Sequence, residues 1–280
     1  MSIDALDTIR TESQRSADAL ATTDPDQKVP TCPEWTASDL LWHLVEVQEF
    51  WTAILAGGAT TDEEVMAIEE AKSPRAEGTD ALLARRESAT AALLAQLAQH
   101  ADEEPAWFWY SAEQTVGVTR RMQTHEATIH RVDAELAAGR AVTPIDAERA
   151  AASLQHVLDV MWPAGFEWIP DWAEVELLAI AEIRPEDGAR SLLGISRWSG
   201  TRPRDGELFD GVVARRLENP AQAEGLPRAT VAGTVLALAL WGWGRQQALD
   251  HLADGAGTVE IQGDPAAIAA LEALIAEGHD

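Results

Sequence analysis

The stretch THEATIHRVDAE, residues 124–135, places a His-Glu pair ahead of a second histidine, the residue types of a zinc-protease helix. A helix of that kind needs H-E-x-x-H, with both histidines on one face four residues apart. His125 and His130 are five apart, and at about 100° per residue they leave a helix roughly 140° from one another. Glu126 and His130 are four apart and diverge by only about 40°. The pair that shares a face is therefore a carboxylate and an imidazole, which needs another ligand from elsewhere to hold a metal. SDLLWHLVEVQEF, residues 38–50, offers one: His43 falls among Leu40, Val47 and Phe50, on the apolar side of a second helix. An inward imidazole needs a partner, and a hydrogen bond to a neighbouring helix is the ordinary one. The other reading is a site built between facing helices. Two imidazoles and one carboxylate leave a coordination position open, as catalytic metal sites do. Spacing alone leaves both readings standing.

The elements that must position these residues read as helices. Apolar residues recur at steps of three and four over about 3–22, 36–56, 79–101 and 115–138. That is the helix count of a four-helix bundle. The second helix has the clearest start: Thr36 suits an N-cap, Asp39 stands three residues on, and Trp35 can pack on Leu40. Gly139 suits the end of the fourth. After residue 142 the pattern changes. A helix DAERAAASLQHVLDVMW precedes the strand-like VELLAIAEI, RSLLGISRWSG and GVVARRLE, divided by Pro, Asp and Gly turns. An apolar helix near 231–252 follows, then a strand TVEIQG and a closing helix DPAAIAALEALIAEG with Asp264 as N-cap. The expected fold is α+β in two domains: 1–141 a helical bundle, 142–280 a smaller α+β domain.

The 280 residues are enough for two domains and a substantial core. Cys32 is the one cysteine, so no internal disulfide can form, which fits a reducing compartment. The start MSIDALDTIRTESQRSADAL lacks the charged-then-apolar order of a signal peptide. No stretch reaches the roughly 18 apolar residues of a membrane span. The expected location is cytoplasmic. With 47 acidic and 21 basic residues the formal charge is −26, which repels phosphate backbones and anionic membrane faces, so neither nucleic acid nor membrane is an expected partner.

VPTCPEWTASDLLWHLVEVQEFW, residues 29–51, resembles the VPTCPGWT-x-x-DLxxHL segment of the actinobacterial mycothiol-dependent maleylpyruvate isomerase family, whose N-terminal domain is similar to DinB-type four-helix bundles. RRMQTHEATIHRVDAE, residues 120–135, is similar to that family's RM-x-x-HE-x-x-xHR-x-DAE stretch. LALALWGWGR followed by TVEIQGDPAAIAAL resembles its apolar helix ending in WGR and its closing strand and helix. The matches run in the family's order over most of the chain. They imply that His43, Glu126 and His130 bind a divalent metal, usually zinc, and that the protein works with mycothiol, a small thiol cofactor. An ion held by two neutral imidazoles and one carboxylate keeps about one positive charge and would hold a thiol as its nucleophilic thiolate. The implied reaction is a cis–trans isomerisation: sulfur adds to the activated alkene of a cis enone acid, the new single bond rotates, and elimination gives the trans product. The same thiolate could attack another electrophile and stay attached, as in a mycothiol S-transferase. A non-catalytic binding module is the alternative outside enzymes. Glu34 stands where the family has glycine, a departure in the loop before the helix rather than at a ligand.

Four further features carry expectations. Cys32, between Thr31 and Pro33 with no base beside it, reads as structural. Asp133, three residues after His130, could orient a neighbouring side chain, but reads first as an exposed carboxylate. Arg245 ends an apolar helix, where it can satisfy terminal carbonyls. The resemblance implies for it a catalytic role toward the carboxylates of substrate or cofactor. AWFWY, residues 106–110, reads as core filling ahead of a pocket roof.

Overall fold

A computed structural model describes residues 4–217, 224–252 and 257–277. The chain divides into two compact units. The first is built on residues up to Pro144, with His251 and Leu252 belonging to it, and the second on the remainder.

The first unit rests on four long helices: α1 (Ala5–Leu20), α2 (Ala37–Gly57), α4 (Thr79–Gln99) and α5 (Val116–Ala137). α1 packs mainly on α5, and α2 mainly on α4. The short α3 (Asp62–Glu70), started by a Thr61–Glu64 capping box, lies between α2 and α4 in the chain. The periodicity did not mark it, because only Val65 of its residues is buried and no apolar stripe forms. β1 (Lys28–Val29) and β2 (Cys32–Thr36) form a small antiparallel hairpin immediately before α2. One core cluster joins Leu20 of α1, Val29 and Cys32 of the hairpin, Leu40, Leu41 and Leu44 of α2, Leu82 of α4 and Ala134 of α5. Every residue of α5 except Arg120 and Arg121 is buried. Its charged residues therefore have to be satisfied inside the protein. Arg131, fully buried, donates through Nε to Glu12 on α1 at 2.6 Å and through Nη1 to Glu135 at 2.8 Å and the Thr143 carbonyl at 2.7 Å. α5 ends at Gly139, whose φ of 63° is the left-handed conformation that lets Arg140 return its N–H to the Glu135 carbonyl.

The second unit opens with α6 (Ala147–His156), a π turn over Val157–Met161 and the short α7 (Trp162–Ala164). The continuous helix expected over 146–162 is thus interrupted. Pro163 has no N–H for the carbonyl four residues back and crowds it, and the wider turn just ahead relieves that clash. A five-stranded sheet follows, in the order β5 (Leu208–Arg216), β4 (Ser191–Thr201), β3 (Glu174–Pro185), β6 (Arg228–Gly233), β7 (Glu260–Gly263). All neighbours are antiparallel except β3 and β6, paired in parallel from Ile180 and Arg228 to Pro185 and Gly233. β6 corrects the sequence reading, which began the apolar helix near residue 231 and so took in the last three residues of this strand. The burial of β6 alternates, but over only six residues, and the apolar residues that run on from it into the next helix hide so short a period. The helix itself, α8 (Val235–Gly242), is shorter, capped by Thr234 and ended by a turn at Gly244, φ 74°. α9 (Pro265–Ala276) closes the fold with Asp264 accepting from the Ala266 N–H, as expected. α6 packs on α8, where Trp243 donates its indole N–H to Ser153 at 2.8 Å, and Trp162 meets Trp241 edge to face.

Candidate metal centre

α2 delivers His43 and α5 delivers Glu126 and His130. The α2 start is held firmly: Thr36 Oγ1 accepts from the Asp39 N–H, while Asp39 Oδ2 accepts from the Thr36 N–H and hydroxyl. Arg75 donates to Asp39 at 2.7 Å. That bond, with the Thr36 N–H behind it, draws the Asp39 carboxyl down to a pKa of about 2. Trp35 packs against the core cluster that contains Leu40.

The three side chains converge. One donor atom from each lies within 4.8 Å of the others, and among the described residues no other His, Cys, Asp or Glu group meets that condition. Glu126 Oε1 stands 2.8 Å from His43 Nε2 and 3.1 Å from His130 Nε2, and the imidazole rings meet nearly edge to face at 4.6 Å. Trp35 flanks both, with ring centroids 4.7 Å from His43 and 5.9 Å from His130. Burial opposes a charge on His130, but the carboxylates of Glu126 and Asp133 outweigh it and raise the imidazole well above its ordinary pKa. Burial likewise opposes ionisation of Glu126, and the two imidazoles reverse it, so the carboxyl is held below its usual range. Without a metal, Glu126 and His130 are therefore a buried ion pair.

Asp133 is where the structure departs most from the sequence reading. It is fully buried rather than exposed, and it accepts from His130 Nδ1 at 2.8 Å. Thr31 donates to its Oδ1 at 2.5 Å, and the Cys32 sulfur lies 3.9 Å from Oδ2. The carboxylate thus ties the β1–β2 hairpin to α5 and fixes which nitrogen of His130 faces Glu126. A carboxylate on Nδ1 with Nε2 left for the ion is the arrangement metal-bound histidines use. The donor set fits a divalent ion. Zinc holds such ligands at about 2.0–2.2 Å, so tetrahedral neighbours stand about 3.4 Å apart, and the 2.8 and 3.1 Å separations of the two imidazoles from Glu126 would open by about 0.3–0.6 Å to admit it. The signal for Asp133 was its i+3 spacing from His130, but exposure was the wrong default for a helix buried on every side.

His125 is buried outside the converging set, and burial first, then the Arg121 charge, lowers its imidazole to about 4. Cys32 is buried in the core cluster, as a structural cysteine would be. Phe108 of the aromatic run is fully buried and stacks on Trp51 at 5.3 Å, as core filling would have it, while Trp107, Trp109 and Tyr110 are only partly buried and Trp107 donates to Asp62. Arg245 lies in the second unit, buried, with Nη1 donating to the Trp243 carbonyl at 2.7 Å.

Residues 6–135, the span containing all three converging side chains, match the family described as the Mycothiol maleylpyruvate isomerase N-terminal domain. Two solved structures share the mycothiol-dependent maleylpyruvate isomerase fold with the chain. One is described as the mycothiol-dependent maleylpyruvate isomerase, at 15% identity and TM-score 0.53. The other is a histidine-to-alanine mutant of it, at 14% identity and TM-score 0.52. Each alignment covers 94% of this chain and 95% of the other. No curated protein matches the sequence significantly.

Proposed function

We propose that the protein is a metal- and mycothiol-dependent enzyme that isomerises a small electrophilic acid, with maleylpyruvate as the reference substrate. The observation that carries this reading is the convergence of His43, Glu126 and His130 inside the segment that matches the Mycothiol maleylpyruvate isomerase N-terminal domain family. On this reading residues 1–141 are a DinB-like four-helix bundle that binds the metal, and 142–280 are an α+β domain. A zinc-type ion held there would supply the charge that keeps mycothiol's sulfur as a thiolate, the nucleophile for reversible addition to the substrate double bond. The chain's own residues do the rest. His43 and His130 offer neutral nitrogens, Glu126 a single carboxylate oxygen, and with three protein ligands one coordination position remains for an incoming group. Asp133 holds the His130 tautomer, and Trp35 walls the two imidazoles. Arg245 is proposed as a catalytic residue whose guanidinium binds a substrate or cofactor carboxylate.

The test is elemental analysis of the purified protein beside His43→Ala and Glu126→Ala, then mycothiol titration of the cobalt-substituted protein followed by its visible spectrum. About one metal per chain, lost in both variants, a spectrum that shifts with thiol and turnover of maleylpyruvate would support the reading. A thiol-responsive metal with no isomerisation but with stable thioether products would replace it by an S-transferase. Absence of metal, or a metal indifferent to both substitutions, sinks the site.

A further inference from the structure

The helix that bears Glu126 and His130 also bears a buried polar group that folding leaves unpaired. Gln123 is 2% exposed, and its Nε2 finds no hydrogen-bond partner among the described residues. Three other buried nitrogens share that condition, in Arg86, Arg131 and Arg184. Each of those belongs to a guanidinium anchored through another nitrogen: Arg86 to Gln14, Arg131 to Glu12 and Glu135, Arg184 to Glu182. Gln123 has no second nitrogen, so its whole donor group is unmet. Buried donors without acceptors are rare, and they concentrate where a ligand completes the bonding.

Its position supports that explanation. Gln123 precedes Glu126 by three residues and His130 by seven. Seven steps of about 100° return to within about 20° of the same direction, so Gln123 and His130 lie on one stripe of α5, about 10 Å apart along the axis with Glu126 between them. We infer that Gln123 is a substrate-binding residue, its amide N–H donating to a carboxylate or keto oxygen of a small oxo-acid whose reacting carbon lies at the His43/Glu126/His130 set. The inference rests on the proposed function. It adds a recognition contact which the metal ligands cannot provide and which orients the acid along α5 rather than across it. A donor already stripped of water and bonded to nothing gives up no partner when the ligand arrives, which is why such a group binds an anion well.

The two roles open to Gln123 predict the same stability but different binding. If the amide only fills space, Gln123→Met, which keeps the unbranched shape and removes the polar atoms, melts at the same or a higher temperature and binds ligand unchanged. If it binds substrate, the same variant melts no lower but loses affinity. The experiment measures thermal midpoint, zinc content and calorimetric binding of maleate, used as a small dicarboxylate probe, for the zinc-loaded wild type, Gln123→Met and Gln123→Glu. The expected result is unchanged zinc in Gln123→Met with maleate held at least tenfold more weakly, and no detectable maleate binding in Gln123→Glu, where an acceptor replaces the donor. If the methionine variant does not fold, the size-matched glutamate variant alone decides. Equal maleate affinity in wild type and the folded variants, or no maleate binding by zinc-loaded wild type, overturns the inference while leaving the metal centre intact. Wild type without zinc refutes the metal centre itself.

Discussion

At the scale of single residues, the candidate site depends on a carboxylate that makes no claim to be a ligand. Asp133 holds His130 by Nδ1 and is itself held by Thr31. Asp133→Asn keeps the shape but weakens the acceptor, and zinc affinity is expected to fall about 10- to 100-fold with the fold retained. Competition against a chromophoric chelator measures this, and an unchanged affinity would reduce Asp133 to a tie between hairpin and helix. The same carboxylates set the pH response. His130 has its pKa raised in the folded protein, so its pairing with Glu126 and Asp133 stabilises the metal-free form fully below about 6.5 and is lost as pH climbs through the raised value. Metal needs the proton gone. Loading therefore tightens as pH rises and releases about one proton per ion near neutrality, seen as a dependence of calorimetric heat on the ionisation enthalpy of the buffer. Heat independent of the buffer would mean His130 is already neutral.

At the scale of elements, much of the positioning was legible, for reasons that can be named. Thr36 and Asp39 marked the α2 start because a capping box is a local device, readable from four residues. Since α2 carries His43 less than two turns later, Thr36→Ala should cost about 1 kcal/mol, lower the melting temperature by about 2–4 °C and leave metal content unchanged. A larger loss accompanied by metal release would tie the cap to the site itself. Glu126 and His130 were legible because four-residue spacing fixes a shared face on any helix. What failed was non-local. β6 is a strand because β3 lies beside it in parallel and β7 antiparallel on its other side, and nothing within RATVAG announces those neighbours. α3 escaped because it buries almost nothing, and Asp133 because its burial comes from packing around α5 rather than from its own sequence.

At the scale of the whole molecule, the two compact units give metal binding a distinct calorimetric signature. Zinc is expected to raise one melting transition and leave another in place, by about 2.7 kcal/mol for the responding unit when free metal is a hundredfold above its dissociation constant. A single transition moving as a whole would contradict independent melting. The division also has a topological side. Val142 pairs with Leu252, and its N–H reaches the His251 carbonyl at 2.9 Å, so the first unit is closed by residues that arrive more than a hundred positions later. A ribosome that has finished the helices has not finished this unit. The clasp exists only after most of the second unit has been synthesised, so a nascent chain arrested at Pro144, or a fragment cut there, would carry all three converging side chains yet lack the strap behind Val142.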